Sequence, residues 1–347
     1  MQQGKSFTPE EIKTIGSMPM NFVLGKERSG TTLLQLMLNA HSNIIAPPES
    51  RFIILLYFRY RNTRTWTEKV ISNLCSDLFR EGLFRNFWGI DKRELQSILM
   101  ASKDVLNFPL VCKIVFRLSS PQKQEAHLFF DKNPLYYYFL PELNMLFPEA
   151  KYIHLVRDYR ANLVSHRRVF TVKKGTDIAY RWMKVNMLIE EAKKQSPEKY
   201  FTLTYESLVT NPAGRSEEIC AFLNLPYDLN MVENHQSGMY SSFNSNTNKG
   251  FLKVHQNVFK PINPKHINDW EEKLSPEELT SIEAVAGKFG EATYGYKPKG
   301  SVEMKQKKQS VSLMMDLKYR TIKALYHTAL ANSWLYYKIK QYVWRNF

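Results

Sequence analysis

Residues 21–51 read NFVLGKERSGTTLLQLMLNAHSNIIAPPESR, and the reading of the fold starts here. The apolar run Met20 to Leu24 is predicted to form a buried strand. A glycine turn follows at Gly25-Lys26-Glu27-Arg28-Ser29-Gly30-Thr31-Thr32. Leu33, Leu34, Met37 and Leu38 then recur at helical spacing. Strand, glycine loop and helix together are the context of a phosphate-binding loop. The first N–H groups of a helix lack intrahelical partners, and the helix dipole favours an anion beside them.

The spacing follows G-x-x-x-x-G-K-[ST] except at one position, where Thr31 stands in place of the lysine. That lysine normally reaches the outer phosphates of a triphosphate, and the next hydroxyl holds magnesium. The loop keeps a cation in Arg28 and hydroxyls in Ser29, Thr31 and Thr32. This set suits one compact tetrahedral anion gripped without a metal. The alternative is an ordinary strand-to-helix turn.

Arg28-Ser29-Gly30-Thr31-Thr32-Leu33 resembles the 5′-phosphosulfate loop of sulfotransferases that use 3′-phosphoadenosine 5′-phosphosulfate (PAPS). The continuation, Leu38-Asn39-Ala40-His41 and Pro48-Glu49-Ser50-Arg51, is similar to the tyrosylprotein sulfotransferases and their bacterial relatives. The resemblance implies that Lys26 through Thr32 contact the cofactor, that Glu49 is the catalytic base and that Arg51 touches the acceptor. It covers roughly residues 20–296 and implies an α/β fold, a mostly parallel sheet wrapped by helices and related to P-loop nucleotide kinases. A sulfotransferase domain over 1–300 and a basic amphipathic helical extension over 301–347 are expected.

The chain has 347 residues, 44% hydrophobic content and a net charge of +15. That length supports one large α/β domain, and that composition excludes a disordered chain. A strongly basic chain suits nucleic acid, an anionic membrane or a polyanionic small ligand. PAPS carries about four negative charges, so a basic cleft would steer it, and no nucleic-acid role is expected. Cys75, Cys112 and Cys220 are scattered and match no metal or disulfide spacing. No secretory signal and no membrane-length apolar run is visible, so a cytoplasmic protein is expected.

Taken in order, Thr8-Pro9-Glu10-Glu11 reads as a helix start. Phe52 to Phe58, with Leu83, Phe84, Phe87 and Trp88, is a candidate lining for an acceptor pocket or a lid; core packing is the alternative. Residues 66–106 read as helices, and 109–116 have strand character. His127 to Phe130 reads as a strand ending at Asp131-Lys132-Asn133-Pro134. A lysine at the C-terminal end of such a strand faces the ligand crevice. The resemblance makes Lys132 a stabiliser of the transition state, as it does Arg28.

Lys151 to Val156 is a further parallel-strand signal, leading into Arg157-Asp158-Tyr159-Arg160-Ala161-Asn162. Arg157 offers forked donors to a phosphate, and Ser165 adds a hydroxyl from the next helix. Both resemble the family's 3′-phosphate site. A further family arginine falls on Val169, with Arg168 beside it. Helices are expected over 175–194, 214–225 and 275–287, with a strand over 200–205. Tyr205, in a Tyr-Glu-x-Leu-x-x-x-Pro run, lies near adenine in the family pattern.

The polar stretch 232–260 resembles the family's cofactor-covering loop, which ends here in Lys260-Pro261-Ile262-Asn263. Counting back puts the family's transition-state serine on Ser245, with Lys249 and Gly250 also toward the cofactor. His255 is a second titratable candidate. From 301 onward, nine Lys/Arg stand against two acids among Trp334, Tyr337 and Trp344, a pattern suited to peripheral membrane contact.

The implied chemistry is sulfuryl transfer from PAPS to an acceptor hydroxyl, leaving adenosine 3′,5′-bisphosphate, with no metal. A hydrophobic alcohol such as a sterol or lipid fits the aromatic region and the basic tail; a protein tyrosine is the other acceptor in view. A P-loop small-molecule kinase and a non-catalytic anion- or membrane-binding module are the rival readings.

Overall fold

Five short apolar segments pair into one parallel sheet. The computed structural model describes residues 7–172, 174–235, 260–299 and 324. The strands are β1 (Met20–Leu24), β2 (Ile44–Ile45), β3 (Leu128–Lys132), β4 (Tyr152–Val156) and β5 (Tyr200–Thr204), in the order β2-β3-β1-β4-β5. Every pairing is parallel, so both faces must be covered by helices.

The helices are α1 (Pro9–Ser17), α2 (Thr31–Ala40), α3 (Phe52–Tyr60), α4 (Glu68–Arg80), α5 (Gly82–Phe87), α6 (Lys92–Ala101), α7 (Phe108–Leu118) and α8 (Leu140–Leu146). Then come α9 (Tyr159–Arg167), α10 (Gly175–Gln195), α11 (Tyr205–Thr210), α12 (Pro212–Leu223), α13 (Asn230–Glu233), α14 (Trp270–Lys273) and α15 (Pro276–Tyr294). Strand side chains alternate between two cores, as a period of two requires. Phe22 and Leu24 of β1 face the core built with α3–α8, whereas Val23 faces the one built with α2 and α12. Likewise Tyr152 points one way, and Ile153 and Leu155 the other.

The expected starts of α1 and α15 hold: Thr8 accepts from the Glu11 N–H at 3.2 Å in a reciprocal capping box, and Ser275 accepts from Glu278 N–H at 3.2 Å. Residues 109–116 are a correction, because they lie in α7 and not in a strand. A short run that is apolar except for Lys113 shows too little period, so its ends decide. Here Asn107 accepts from the Leu110 N–H at 2.9 Å and Pro109 sits in the first turn, both helix-start features. In the aromatic region the structure shows the core packing that the sequence left as an alternative. Phe52 packs edge-on against Trp88 at 5.4 Å and Phe84 at 5.8 Å, and Trp88 against Phe116 at 5.0 Å, all within the core. These rings hold the sheet's cover in place.

Gly25 ends β1 at φ +155°, where a Cβ would sit 2.5 Å from the Leu155 carbonyl oxygen of β4. Only a residue without a Cβ lets the loop leave the sheet so close to its neighbour. Gly25→Ala is therefore expected to destabilise the fold by roughly 2 kcal/mol or more. Urea unfolding measures this; unchanged stability would show that β1 and β4 can separate at no cost.

Candidate active site

Glu49, Lys132, the glycine loop, Arg157 and Tyr205 each follow or end a strand at the C-terminal edge of the sheet. This is where ligands bind in open parallel sheets, at the crevice where strand order reverses about β1. Read along that edge, Glu49 follows β2, Lys132 ends β3, the glycine loop follows β1, Arg157 follows β4 and Tyr205 follows β5. Sequence order scatters these residues over more than 150 positions; the parallel crossovers bring them into one row.

The glycine loop is held from several sides. Gly30, at φ 94°, precedes α2, and a Cβ there would collide with the Tyr205 ring at 2.4 Å. Arg28 adopts φ 70°, a left-handed conformation that is costly for a non-glycine residue and typical of functional turns. Asn162 of α9 donates to the Glu27 carbonyl at 2.9 Å and to Ser29 Oγ at 3.2 Å. The Lys26 ammonium is buried and paired with Glu27, so Lys26 offers a ligand its backbone and not its side chain. Burial pushes the Lys26 amine down to about 8, partly offset by Glu27. Burial pushes Glu27 the other way, but Lys26, Arg181 and His166 outweigh it and hold its carboxyl down at about 2.

Positive charge accumulates next to this loop. Burial lowers the Arg28 pKa, and Arg157 and Arg168 lower it further by repulsion. Arg28 Nε donates to Ser165 Oγ at 3.4 Å, and Arg157 Nη1 donates to the Arg28 carbonyl at 3.4 Å. Arg157 Nη2 reaches the His266 carbonyl at 3.3 Å, and its guanidinium lies 4.4 Å over the Tyr205 ring. These hydrogen bonds are long, and the buried Arg157 Nε has no hydrogen-bond partner among the described residues. A buried donor fork left this poorly satisfied is a site for an anion. Trp182 fixes the turn by donating from Nε1 to the Arg157 carbonyl at 2.8 Å.

At the other end of the row, Lys132 Nζ and Glu49 Oε2 form an ion pair at 2.6 Å. The lysine side chain is sunk, at 5% exposure, while Glu49 is 22% exposed and open to an incoming molecule. The Glu49 segment is pinned on both flanks. Gln35 of α2 donates to the Pro47 carbonyl, and Asn133 donates to the Ser50 carbonyl at 3.2 Å. Ser50 Oγ in turn donates to Glu81 at 3.2 Å. Arg51 is buried at the start of α3.

The structure thus brings together Arg28, Ser29, Gly30, Arg157, Ser165 and Tyr205 at one end, and Glu49, Lys132 and Arg51 at the other. Thr31 and Thr32 form the first turn of α2. Lys260 is exposed at the start of the segment that brings His266 to Arg157. Ser245, Lys249, Gly250 and His255 lie outside the described residues, as does the helix expected over 301–347. Arg168 pairs with Asp269. Among the described residues no cluster of His, Cys, Asp and Glu could hold a metal ion, and no helix is long and apolar enough to cross a membrane. Sequence reading missed Asn162, Gln35, Asn133 and Glu81 as organisers. Asp158, Asn162 and Ser165 recur at i, i+4 and i+7, a polar helical face that could have identified Asn162.

Residues 19–229 match the model of the sulfotransferase family. Protein-tyrosine sulfotransferase 1 of Danio rerio is 25% identical over 287 residues, spanning 81% of this chain and 73% of the relative. The protein of the same name from Homo sapiens is 25% identical over 289 residues, spanning 81% and 70%. The solved sulfotransferase domain from the curacin biosynthetic pathway superposes with a TM-score of 0.53 at 21% identity, covering 77% of this chain and 96% of that domain. The sulfotransferase domain from the Synechococcus PCC 7002 olefin synthase gives 0.50 at 25% identity, covering 77% and 94%. With a family match over more than half its length, on this loop and this sheet, the chain belongs to the sulfotransferase family and is a PAPS-dependent sulfotransferase.

Proposed function

We propose that this enzyme transfers the sulfuryl group of PAPS to a hydroxyl acceptor, with Glu49 as the general base. The observation that carries the proposal is the 2.6 Å pair of Glu49 and Lys132 at the β3 end of the ligand crevice. PAPS would lie along the row, its 5′-phosphosulfate on the Arg28 loop and its 3′-phosphate against Arg157 and Ser165. The acceptor would approach from the Glu49 side. A kinase would want a lysine where Thr31 stands, to reach a bridging triphosphate.

The bond broken joins sulfur to the bridging phosphate oxygen, and the bond formed joins sulfur to the acceptor oxygen. The acceptor proton passes to Glu49, and the leaving phosphate takes the electron pair. In-line transfer of this kind needs positioning and charge neutralisation more than covalent help. The ion pair couples the two needs. As Glu49 takes the proton it loses its charge, and Lys132 is released to face the oxygen that is becoming anionic. Base and electrophile are thereby switched in one step.

We propose a tyrosine phenol in a peptide as the acceptor. Its support is the likeness to protein-tyrosine sulfotransferases. The hydrophobic alcohol loses its main support because Phe52 to Tyr57 and Phe84 to Trp88 are taken up by the core. A screen of tyrosine peptides against sterols and lipid alcohols with labelled PAPS decides between them.

Glu49→Gln keeps the shape but cannot take the proton, so single-turnover transfer is expected to fall by roughly 10²–10⁴. Affinity for adenosine 3′,5′-bisphosphate should stay within about twofold, since Glu49 faces the acceptor. Near-normal transfer would remove Glu49 as base, and a joint loss of melting temperature and nucleotide affinity would reduce it to a structural partner of Lys132. Arg157→Ala should weaken adenosine 3′,5′-bisphosphate by about 1.5–3 kcal/mol while hardly affecting adenosine 5′-phosphate. Calorimetry with both ligands is the check, and equal weakening of the two would place the 3′-phosphate elsewhere.

A further inference from the structure

A second carboxyl stands behind the ion pair. Asp131, the residue before Lys132 on β3, is fully buried. Its Oδ1 accepts from the Lys132 backbone N–H at 2.7 Å, and its Oδ2 accepts from the Tyr136 hydroxyl. Tyr136 is itself buried, with its ring edge-on to Phe22 at 5.2 Å. Asp131 and Tyr136 therefore bracket the turn that carries Lys132 and Asn133, the two residues that reach the Glu49 segment.

The titratable and charged groups around Asp131 come from every neighbouring element. They are Tyr136 from the 3₁₀ turn Tyr136–Tyr138, Lys132 from its own strand, Glu49 from the segment after β2 and Cys112 from α7. The partner across β1 is the uncharged Phe22. Burial pushes the Asp131 carboxyl up to about 7; the Tyr136 hydroxyl, the Lys132 N–H and the Lys132 ammonium pull against it, and Glu49 adds to it. A buried carboxyl flanked by one lysine and a second carboxylate is a coupled pair, in which the charge of each depends on the other.

We propose that Asp131 is a positioning residue of the transfer site, fixing the backbone at Lys132 and, when ionised, strengthening Glu49 as a base by sharing the Lys132 charge. The proposal rests on the assignment of Glu49 and Lys132 given above. Asp131 touches no substrate and acts only through its two neighbours. Ionisation of Asp131 adds a negative charge behind the pair, which makes proton uptake at Glu49 more favourable and keeps Lys132 charged once Glu49 is neutral.

The test is single-turnover transfer from PAPS as a function of pH in the full-length wild type, Asp131→Asn and Tyr136→Phe. The asparagine removes the charge; its oxygen can still accept from the Lys132 N–H, while its amide N–H donates to the Tyr136 oxygen, reversing that bond. The wild-type rate is expected to rise through about pH 7. D131N should lack that rise and run about tenfold slower on its alkaline side, with adenosine 3′,5′-bisphosphate affinity within about twofold. Y136F removes a hydrogen bond that favours the charged carboxyl, so its rise should move to higher pH. Folding stability gives an activity-free readout. Burial raises the native carboxyl from its ordinary value near 3.8 to about 7, so the wild type should lose stability relative to D131N as pH climbs between those values. An active wild type with the same pH profile as D131N overturns the role of Asp131 alone, and so does an unmoved rise in Y136F should D131N fail to fold. A folded wild type that transfers no sulfuryl group overturns the underlying site assignment and this proposal with it.

Discussion

The ion pair between Lys132 and Glu49 links the side chains of two segments that the β2–β3 pairing already sets side by side. Glu49 follows a two-residue strand at the sheet's edge, and Lys132 ends the strand beside it. A pair with one deeply buried member is costly to form, because the ammonium leaves water. It persists here because its surroundings are built for it. Gln35, Asn133 and the Ser50–Glu81 bond hold the Glu49 segment, and Asp131 with Tyr136 holds the Lys132 turn. Such an arrangement fits a site that must release and recover a charge with little movement of the backbone.

The opposite end of the row follows a different electrostatic logic. Arg28 and Arg157 approach one another with long hydrogen bonds and mutual repulsion. Under the proposed placement of PAPS, its phosphates would offset that repulsion. The same loop contains a neutralised pair, Lys26 with Glu27, so the positive field comes from the arginines and the helix terminus, not from every basic residue in the motif. The net charge of +15 then acts over longer range, as steering toward the crevice.

Much of this was legible in the sequence, for identifiable reasons. The glycine loop could be read because Gly25 and Gly30 are demanded by close contacts, with the Leu155 carbonyl and the Tyr205 ring respectively. β4 and Arg157 could be read because a buried parallel strand is a continuous apolar run. Glu49 and Lys132 came from family resemblance, since no local pattern predicts that two residues 83 positions apart will pair. α7 was misread because a short run that is apolar except for Lys113 shows too little period, and its evidence lay in Asn107 and Pro109 at its start. The aromatic residues of 52–58 and 83–88 left a pocket lining and core packing both open, because composition alone does not separate a pocket wall from a core. Gln35 and Asn133 escaped because single amides that bond to backbone carbonyls leave no motif, whereas Asn162 stood on a polar helical face with Asp158 and Ser165.

The central claim is that Glu49 and Lys132 act as one unit, and a double-mutant cycle on single-turnover transfer tests it most directly. Glu49→Gln, Lys132→Met and the double variant would be compared with the wild type under the same conditions. If proton uptake by one residue frees the charge of the other, the double variant should be about as slow as the slower single variant, with a coupling of roughly 2 kcal/mol or more. Losses that simply add would mean that the two residues serve the reaction independently, and would contradict the account.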